Sequence, residues 1–234
     1  MKSIVPRLET LPKAQRVLWP RLSAVGANFV LYGGTALLLQ VGGRISVDFD
    51  FFSAHSLDAD HLVKGLPFLK GAILQQRAEN TASFLIGSGE DSVAVSFFGG
   101  LSFGRVGDPV RFSDNGVFAA GLLDLAAQKI RVIQQRAKAK DYQDIYKLLS
   151  EGVTLEEALG AAQALFPEFN PSVSLKALSY FGDVKNLPQG IQTDLISAAA
   201  RVRGIAPLVR YRDSLLPDLE LPEKTRGLEI EPEL

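Results

Sequence analysis

The chain has 234 residues, of which 47% are hydrophobic and 22% charged, and its formal net charge is −1 at pH 7. This length and apolar content allow one large domain or two small ones, and the balanced charge argues against a disordered chain or a dedicated nucleic-acid coat protein. The absence of cysteine excludes disulfides, thiolate metal sites and a cysteine nucleophile, and two histidines are too few for a His-rich metal site.

The first residues suggest neither export nor insertion into a membrane. The segment "MKSIVPRLETLPKAQ" at 1–15 has no apolar core of signal-peptide length. Residues 22–43 carry no charge over a length that could cross a bilayer, but they contain two Gly-Gly pairs, which are poor helix formers. We interpret this stretch as a buried strand, a turn and a short helix, and we expect a cytoplasmic protein that does not contact a membrane.

The first third of the chain predicts strands that alternate with short helices. Apolar residues at 17–25 have near-helical spacing, with Pro20 as a kink or a restart. The run "FVLY" at 29–32 is aromatic and β-branched and predicts a strand. The run "TALLLQVG" at 35–42 predicts a helix that ends at glycine.

A short helix and a β-rich section follow. Ser56 or Asp58 is predicted to cap a helix at 60–66. Short strand-like runs, separated by Gly, Asn and Asp, then favour an antiparallel meander that extends the first sheet. These runs lie at 72–78, 81–87, 91–100 and 101–112.

The periodicity changes to helical after Gly116. Helices are predicted within 122–149 and at 154–166, 172–181 and 191–202, and "TLEE" at 154–157 matches a capping box. We therefore predict an α/β domain at 1–118, a helical domain at 119–215 and an extended tail at 216–234.

The run "SVDFDFF" is predicted to be a strand that carries two acids. Because residues two apart on a strand share a face, Asp48 and Asp50 project together, while Val47, Phe49 and Phe51 point into the core. Two close carboxylates in a half-buried setting repel each other, and a divalent cation removes the repulsion. Mg²⁺, or Mn²⁺ in its place, prefers such oxygen ligands together with phosphate. The pair thus predicts a metal site that also holds a phosphate.

A Gly-Gly-Thr turn precedes the acids. Gly33 and Gly34 allow the backbone to approach a ligand, and the helix that follows offers free N–H groups to an anion, while Thr35 adds a hydroxyl. The turn is neither a Walker A loop nor GxGxxG. Each motif by itself is common as a surface pair or a tight turn. In this order, the two motifs predict binding of the phosphates of a nucleoside triphosphate.

These residues resemble a known superfamily. Gly34 and Thr35, the twelve residues 36–47 and then the D-x-D of Asp48 and Asp50 resemble the signature of nucleotidyltransferases with the polymerase-β-like fold. The resemblance implies an α+β fold, with a mixed sheet, flanking helices and a C-terminal helical region. It also implies that Asp48 and Asp50 bind the metal and are catalytic.

The longer string "LYGGTALLLQVGGRISVDFDFF" resembles one branch in particular, the nucleotidyltransferase-like AbiEii/AbiGii toxin family of bacterial toxin–antitoxin systems. Arg44 and Ser46 match the "R-x-S-x-D" lead-in of that branch and are implied to bind substrate. The resemblance covers roughly residues 15–150. It implies a transfer that harms growth, with tRNA as an acceptor and a cognate antitoxin as a partner.

The helical half carries a second part of the resemblance. In the family, a Lys is followed by an Arg and a basic-Asp-x-x-Asp stretch. The matching residues here are Lys129, Arg136, Lys140, Asp141 and Asp144. The resemblance implies that Lys129 is catalytic and that the other four bind substrate.

The residues themselves leave the role of this segment open. In a single helix, the basic residues at 129, 136, 140 and 147 would form one stripe, because their spacings nearly complete whole turns. Such a stripe would bind triphosphate or a nucleic-acid backbone. The alternative is a solvated helix face. Asp141 and Asp144 share a face and either pair with Arg136 or Lys140 or touch the nucleotide.

One position departs from the superfamily pattern. Enzymes of this fold often use a third carboxylate on a later strand as a base, and the strand "SVAVSFFGG" carries Ser96 there. Alternation along the strand places Ser96 on the same face as Ala94 and Phe98. Serine is a poor base near neutral pH. Either the two acids suffice, or Asp141 substitutes, or catalysis is weak.

Three functions are therefore open. The first is a Mg²⁺-dependent nucleotidyltransferase that transfers NMP from an NTP to an acceptor hydroxyl, as the toxin of a toxin–antitoxin system. The second is a non-catalytic nucleotide-binding or interaction module, which Ser96 supports. The third is a phosphotransferase that moves the γ-phosphate instead.

Overall fold

The computed structural model describes residues 2–207 and 212–215, which form a mixed α+β structure. One sheet has the strand order β1-β7-β8-β2-β3-β6-β5-β4. The strands are β1 Ser3–Ile4, β2 Val30–Tyr32, β3 Asp48–Phe52, β4 Ile73–Ala78, β5 Thr81–Ile86, β6 Val93–Phe98, β7 Val110–Phe112 and β8 Phe118–Ala119. The helices are α1 Lys13–Leu18, α2 Gly33–Val41, α3 Ala59–Gly65, α4 Leu122–Val132, α5 Ala139–Ser150, α6 Leu155–Leu165, α7 Pro171–Ala177 and α8 Gln189–Arg201.

The strand that carries the two acids lies in the middle of the sheet. β3 pairs with β2 in antiparallel fashion and with β6 in parallel fashion. Phe49 and Phe51 on β3 are completely buried on one face, where they join Val95 and Phe97 of β6. The other face of β3 is only partly covered. The predicted α+β fold and the alternation along β3 and β6 are therefore confirmed.

Val47 departs from the expected pattern. It precedes the first residue of β3, and its side chain is 56% exposed. The alternation correctly predicts the buried positions within the strand. It fails at Val47 because the ladder begins only at Asp48, so no neighbouring strand or helix covers the residue before it.

The β-rich section is only partly a meander. β4, β5 and β6 are antiparallel neighbours, as expected. The predicted run at 101–112 is wrong as a continuation, because it contains a strand only at Val110–Phe112. This strand, β7, lies beyond β2 toward the opposite edge of the sheet, between β1 and β8. A short strand has little intrinsic preference for particular neighbours. The packing of the folded chain therefore determines which strands it pairs with.

The premise of one long helix at 129–147 is also wrong. α4 ends at Val132, and α5 begins at Ala139 after a turn. The residues between Ile133 and Tyr142 include no large apolar side chain that could hold a continuous helix against the core. The break brings the start of α5 back toward α4.

The remaining helices agree with the sequence patterns apart from their ends. Asp58 caps α3 by accepting a hydrogen bond from the amide of His61 at 2.8 Å. Thr154 and Glu157 form the predicted capping box at the start of α6. α4 packs against α6, and both contribute to the same apolar core as the sheet. The predicted domain boundary near 118 stays a prediction, and the predicted tail at 216–234 lies outside the described residues.

No helix among the residues that the structure describes is both long and apolar enough to cross a lipid bilayer. The uncharged stretch at 22–43 forms the end of a 3-10 segment, then β2 and α2. The predicted strand and short helix are confirmed, but no separate turn lies between them, because α2 begins at Gly33 directly after Tyr32.

Candidate functional site

A small hollow lies where the partly covered face of β3 meets α4 and the start of α5. Its volume is about 140 Å³. Most of the predicted site residues line it, although they come from distant parts of the sequence. They are Gly33, Gly34, Arg44, Ser46, Asp48, Asp50, Lys129, Arg136 and Lys140. Thr35, Asp141 and Asp144 lie behind this layer, and Ser96 lies on the neighbouring strand.

The two acids form the floor of the hollow on the sheet side. The pKa of Asp50 is raised to about 6: burial and, secondly, the negative charge of Asp48 raise it, and the charges of Lys129, Lys140 and Arg136 oppose the increase. The raised pKa of Asp50 therefore reflects its burial first and the neighbouring charge of Asp48 second. A cation between the two carboxylates would relieve their mutual repulsion.

The glycine pair fits tightly around these side chains. A Cβ atom on Gly33 would lie 2.6 Å from a carboxylate oxygen of Asp50, and the φ angle of Gly33 is +75°. A Cβ atom on Gly34 would lie 2.6 Å from Nη2 of Arg44 and 2.8 Å from Oγ of Ser46. The backbone at the start of α2 thus approaches Asp50, Arg44 and Ser46 more closely than any side chain would allow.

Thr35 has a contact that the sequence does not reveal. Its side chain is buried, and its hydroxyl donates a hydrogen bond of 2.5 Å to the backbone carbonyl of Asp48. This bond ties the first turn of α2 to the start of β3. It holds the glycine pair and the two acids in one unit, and the predicted contact of Thr35 with phosphate stays a prediction.

Lys129 belongs to a buried charge network. Its ammonium lies 3.0 Å from Asp141 and 2.7 Å from Asp144, and only 8% of the residue is exposed. Arg136 also binds Asp141, at 2.8 Å. Burial by itself would raise the pKa of Asp141, but the hydrogen bond from Arg136 and the charge of Lys129 outweigh it, so the pKa is lowered. The two acids therefore pair with cations, as one of the sequence alternatives predicts.

The network leaves Asp141 poorly placed to act as a general base. Its side chain is completely buried, and both of its carboxylate oxygens accept hydrogen bonds from Lys129 or Arg136. A general base must reach the proton that it removes. The burial and the two cation partners of Asp141 thus argue against the hypothesis that it replaces the third carboxylate, which stays a prediction.

Arg44 connects the sheet to the helices. Its guanidinium donates to the backbone carbonyl of Lys140 at 3.1 Å and to the carboxylate of Asp144 at 2.8 Å. Lys140 itself is exposed at the rim and forms no ion pair with any other described residue. Lys147, in contrast, lies outside the hollow and pairs with Glu151.

Ser96 lies beside Asp50 on the adjacent strand, where the resemblance to the superfamily implies a third carboxylate. It is the register partner of Asp50 on the adjacent strand β6. Its hydroxyl forms a hydrogen bond of 2.9 Å with the hydroxyl of Ser83 on β5. Sequence reasoning missed Ser83, for which the only available signal is the alternation in "TASFLIG". It also missed Tyr32, Phe52, Leu125, Gln128 and Val132 as lining residues, because no motif marks them.

The hollow offers the oxygen ligands that a divalent metal ion needs. Asp48 and Asp50 supply hard oxygen ligands from one face of a strand, and burial together with the charge of Asp48 raises the pKa of Asp50. Within residues 2–207 and 212–215, no cluster of three or more His, Cys, Asp or Glu residues could hold a metal by itself. Two carboxylates suit Mg²⁺, which usually keeps waters and phosphate oxygens as its other ligands.

Solved structures were found that align with this chain. MenT4, a nucleotidyltransferase toxin from Mycobacterium tuberculosis H37Rv, aligns with a TM-score of 0.51 at 12% identity, over 82% of this chain and 86% of that chain. A nucleotidyltransferase-like antigenic protein from Paracoccidioides brasiliensis aligns with a TM-score of 0.48 at 18% identity, over 81% and 90% of the two chains. The likeness to MenT4 defines the fold as that of a nucleotidyltransferase.

Sequence comparison identifies the family. The family described as "Nucleotidyl transferase AbiEii toxin, Type IV TA system" matches residues 16–215. The chain belongs to this AbiEii family of nucleotidyltransferase toxins of type IV toxin–antitoxin systems. An uncharacterized protein of Aquifex aeolicus, strain VF5, is 30% identical over 183 residues, which cover 76% of this chain and 86% of that protein.

Proposed function

We propose that this chain is a cytoplasmic, Mg²⁺-dependent nucleotidyltransferase that transfers NMP from an NTP to a hydroxyl of RNA, with tRNA as the acceptor and a cognate antitoxin as its partner. The observation that carries the proposal is the convergence of the Asp48 and Asp50 carboxylates with the Gly33-Gly34 turn and the cations of α4 and α5 in one hollow.

Each group has a distinct task in this proposal. Asp48 and Asp50 would hold Mg²⁺, which, when bound, neutralises the carboxylates and polarises phosphate oxygens. The amides at the start of α2 receive the β- and γ-phosphates, because Gly33 and Gly34 carry no side chain that blocks them. Arg136 and Lys140 at the rim neutralise the triphosphate.

In the transfer, the acceptor oxygen forms a bond to the α-phosphorus, the bond from that phosphorus to the β-phosphate oxygen breaks, and pyrophosphate leaves. The hydroxyl proton passes to solvent. Lys129 acts from within its ion pairs with Asp141 and Asp144, so its charge is held at one position behind the phosphates. Positioning and charge neutralisation carry most of the catalysis in such displacements, so the lack of a third carboxylate is compatible with activity.

The test is transfer of label from α-³²P-NTPs to total tRNA in the presence of Mg²⁺. The wild type is compared with Asp48→Asn/Asp50→Asn and with Asp194→Asn, whose carboxylate lies exposed on α8 away from the hollow. We expect labelled tRNA with the wild type and with Asp194→Asn, and none with the double variant. Label that persists in the double variant contradicts the proposed role of the two acids.

A second function, a non-catalytic nucleotide-binding module, is favoured by the presence of Ser96 beside Asp50 in place of an acid. Parallel reactions with γ-³²P-NTP and a direct binding measurement separate the alternatives. Transfer of the γ-label identifies a phosphotransferase. If neither label is transferred but the NTP binds in a Mg²⁺-dependent way, and if the double variant loses this binding, the chain is a binding module.

A further inference from the structure

The face of the sheet that carries the two acids continues beyond them and is only partly covered there. On β3, β6 and β5 one set of alternate residues is buried, and the opposite set is only partly covered. The partly covered residues are Asp48, Asp50 and Phe52 on β3, Ala94, Ser96 and Phe98 on β6, and Thr81, Ser83 and Leu85 on β5. A surface three strands wide therefore begins at the candidate metal site and leads away from the phosphate-binding cations.

A polar row crosses this surface. Asp50 pairs with Ser96, and Ser96 pairs with Ser83, so the three side chains lie side by side on adjacent strands. With a strand spacing of about 4.8 Å, the row extends roughly 10 Å from Asp50. One serine hydroxyl donates to the other at 2.9 Å, and neither makes another side-chain hydrogen bond to a described residue. The pair therefore keeps one hydroxyl hydrogen and several lone pairs for a ligand.

An aromatic row runs parallel to the polar one. Phe52 and Phe98 lie two residues further along β3 and β6, about 7 Å from the polar row. Their ring centroids are 5.2 Å apart at an interplanar angle of 76°. Phe98 is only partly covered, and its register partner on β5 is the small residue Thr81. The aromatic rings thus lie about 7 Å from the pair of serine hydroxyls, a separation that one nucleoside can span.

We propose that this surface binds the 3′-terminal nucleoside of the acceptor RNA, with its ribose hydroxyls on Ser96 and Ser83 and its base against Phe98. The inference rests on the proposed function and adds to it the acceptor subsite. The vicinal hydroxyls of a ribose end match the two serines, and a base matches the aromatic row. No Lys or Arg projects from β3, β5 or β6 on this face, so the surface suits a nucleoside and not a phosphate.

The arrangement also brings the reacting group to the right place. A ribose seated on the two serines has one hydroxyl directed along the row toward Asp50, because Ser96 and Asp50 are neighbours in the ladder. The nucleotide phosphates approach from the other side, where the Gly33-Gly34 turn lies. The acceptor ribose and the phosphates of the donor NTP thus meet at β3.

The experiment measures kcat and KM for a short RNA oligonucleotide and for the same oligonucleotide with a 2′-deoxy terminal residue. The variants are Ser83→Ala/Ser96→Ala and, independently, Phe98→Leu. Ser88→Ala, an exposed serine between β5 and β6, is the matched control. Binding of Mg²⁺-NTP and the thermal midpoint are recorded for every variant, so that a folding defect is recognised.

We expect the double serine variant to raise KM for the RNA about tenfold, as two lost hydrogen bonds to a ligand imply. It should also lose most of the preference for the ribose terminus over the deoxy terminus, while Mg²⁺-NTP affinity stays within about twofold. Phe98→Leu should raise KM for both oligonucleotides by about tenfold, since stacking does not depend on the 2′-hydroxyl. Ser88→Ala should behave like the wild type.

Three results overturn the inference in different ways. If the wild type labels RNA but both the serine and the Phe98 variants keep its KM and its ribose preference, the acceptor lies elsewhere and the proposed function stands. If the wild type binds Mg²⁺-NTP and labels protein but not RNA, the subsite and the RNA acceptor are both wrong. Loss of Mg²⁺-NTP binding in the serine variants would place these residues in the nucleotide site instead.

Discussion

The ammonium of Lys129 lies 2.7 Å from a carboxylate oxygen of Asp144, and this ion pair joins α4 to α5. Asp141, one turn earlier on α5, binds the same ammonium and also Arg136, and it is completely buried. Arg44 reaches Asp144 from the loop before β3. The helical wall of the site is therefore attached to the sheet by charge, and this attachment governs both stability and the position of Lys129.

Replacement of Asp141 should destabilise the fold strongly. Asp141→Ala leaves Lys129 and Arg136 without their shared partner, and loss of one member of a buried pair typically costs roughly 3–5 kcal/mol. Urea unfolding at pH 7 measures the change. Asp60→Ala is the control, because Asp60 pairs with Arg77 in solvent and its loss should leave the midpoint unchanged. An unchanged urea midpoint for Asp141→Ala would falsify the structural role of the network.

The pKa of Asp50 predicts a dependence of stability on pH. Because its pKa is about 6 in the folded state, above the ordinary value of 3.8, its ionisation disfavours folding. Its favourable contribution is complete below pH 4 and is lost as the pH rises through 6. Asp50→Asn should therefore be more stable than the wild type at pH 8, by at most about 3 kcal/mol, and equally stable at pH 4.

Unfolding of metal-free protein across pH 4–8 tests this expectation, with Asp194→Asn as the control. Added Mg²⁺ should stabilise the wild type at pH 8 and leave Asp50→Asn unchanged, because a bound ligand stabilises the state that binds it. A gap between wild type and Asp50→Asn that does not vary with pH contradicts the assignment of the shift to Asp50.

Gly33 should not tolerate a side chain. Its φ angle of +75° costs an alanine about 1–2 kcal/mol, and the new Cβ would lie 2.6 Å from the Asp50 carboxylate. We expect Gly33→Ala to be destabilised and to lose Mg²⁺-NTP binding, as measured by thermal unfolding and calorimetry. Gly190→Ala on α8 is the control, since nothing lies within 4 Å of its added Cβ. Normal nucleotide binding by Gly33→Ala would argue against a close approach of the phosphates there.

Variants of Thr35 show whether its hydroxyl stabilises the fold or binds the phosphate directly. Thr35→Val removes the hydrogen bond to the buried backbone near Asp48, and we expect a loss of about 1–3 kcal/mol in unfolding free energy together with weaker Mg²⁺-NTP binding. Thr35→Ser keeps the hydroxyl and should retain most of both. If Thr35→Val instead loses nucleotide affinity at full stability, the hydroxyl acts on the phosphate directly.

Local motifs predict much of the site correctly. Two acids one residue apart in an apolar run must share the face of a strand, so the placement of Asp48 and Asp50 follows from the pleat. The helix α2 and the capping box at Thr154 likewise follow from residues close in sequence. The same alternation on β6 correctly places Ser96 on one face with Ala94 and Phe98.

Other features could not be predicted in this way. The stripe of basic residues required one helix, and the structure breaks it at Val132. Even so, Lys129, Arg136 and Lys140 line one hollow, because the turn folds α5 back beside α4. The hydrogen bond between Ser83 and Ser96 depends on the register of β5 against β6, which alternation along one strand does not specify.

The sequence by itself determined the α+β class, the family resemblance, the carboxylate pair and the glycine pair, because each depends on spacing within a few residues along the chain. Only the tertiary structure decided which cations hold Asp141 and Asp144, that Thr35 binds the backbone of Asp48, and that Ser83 extends the row from Asp50. These contacts join residues from different strands and helices. Their partners are set by how the elements pack, and no local preference reports on that packing.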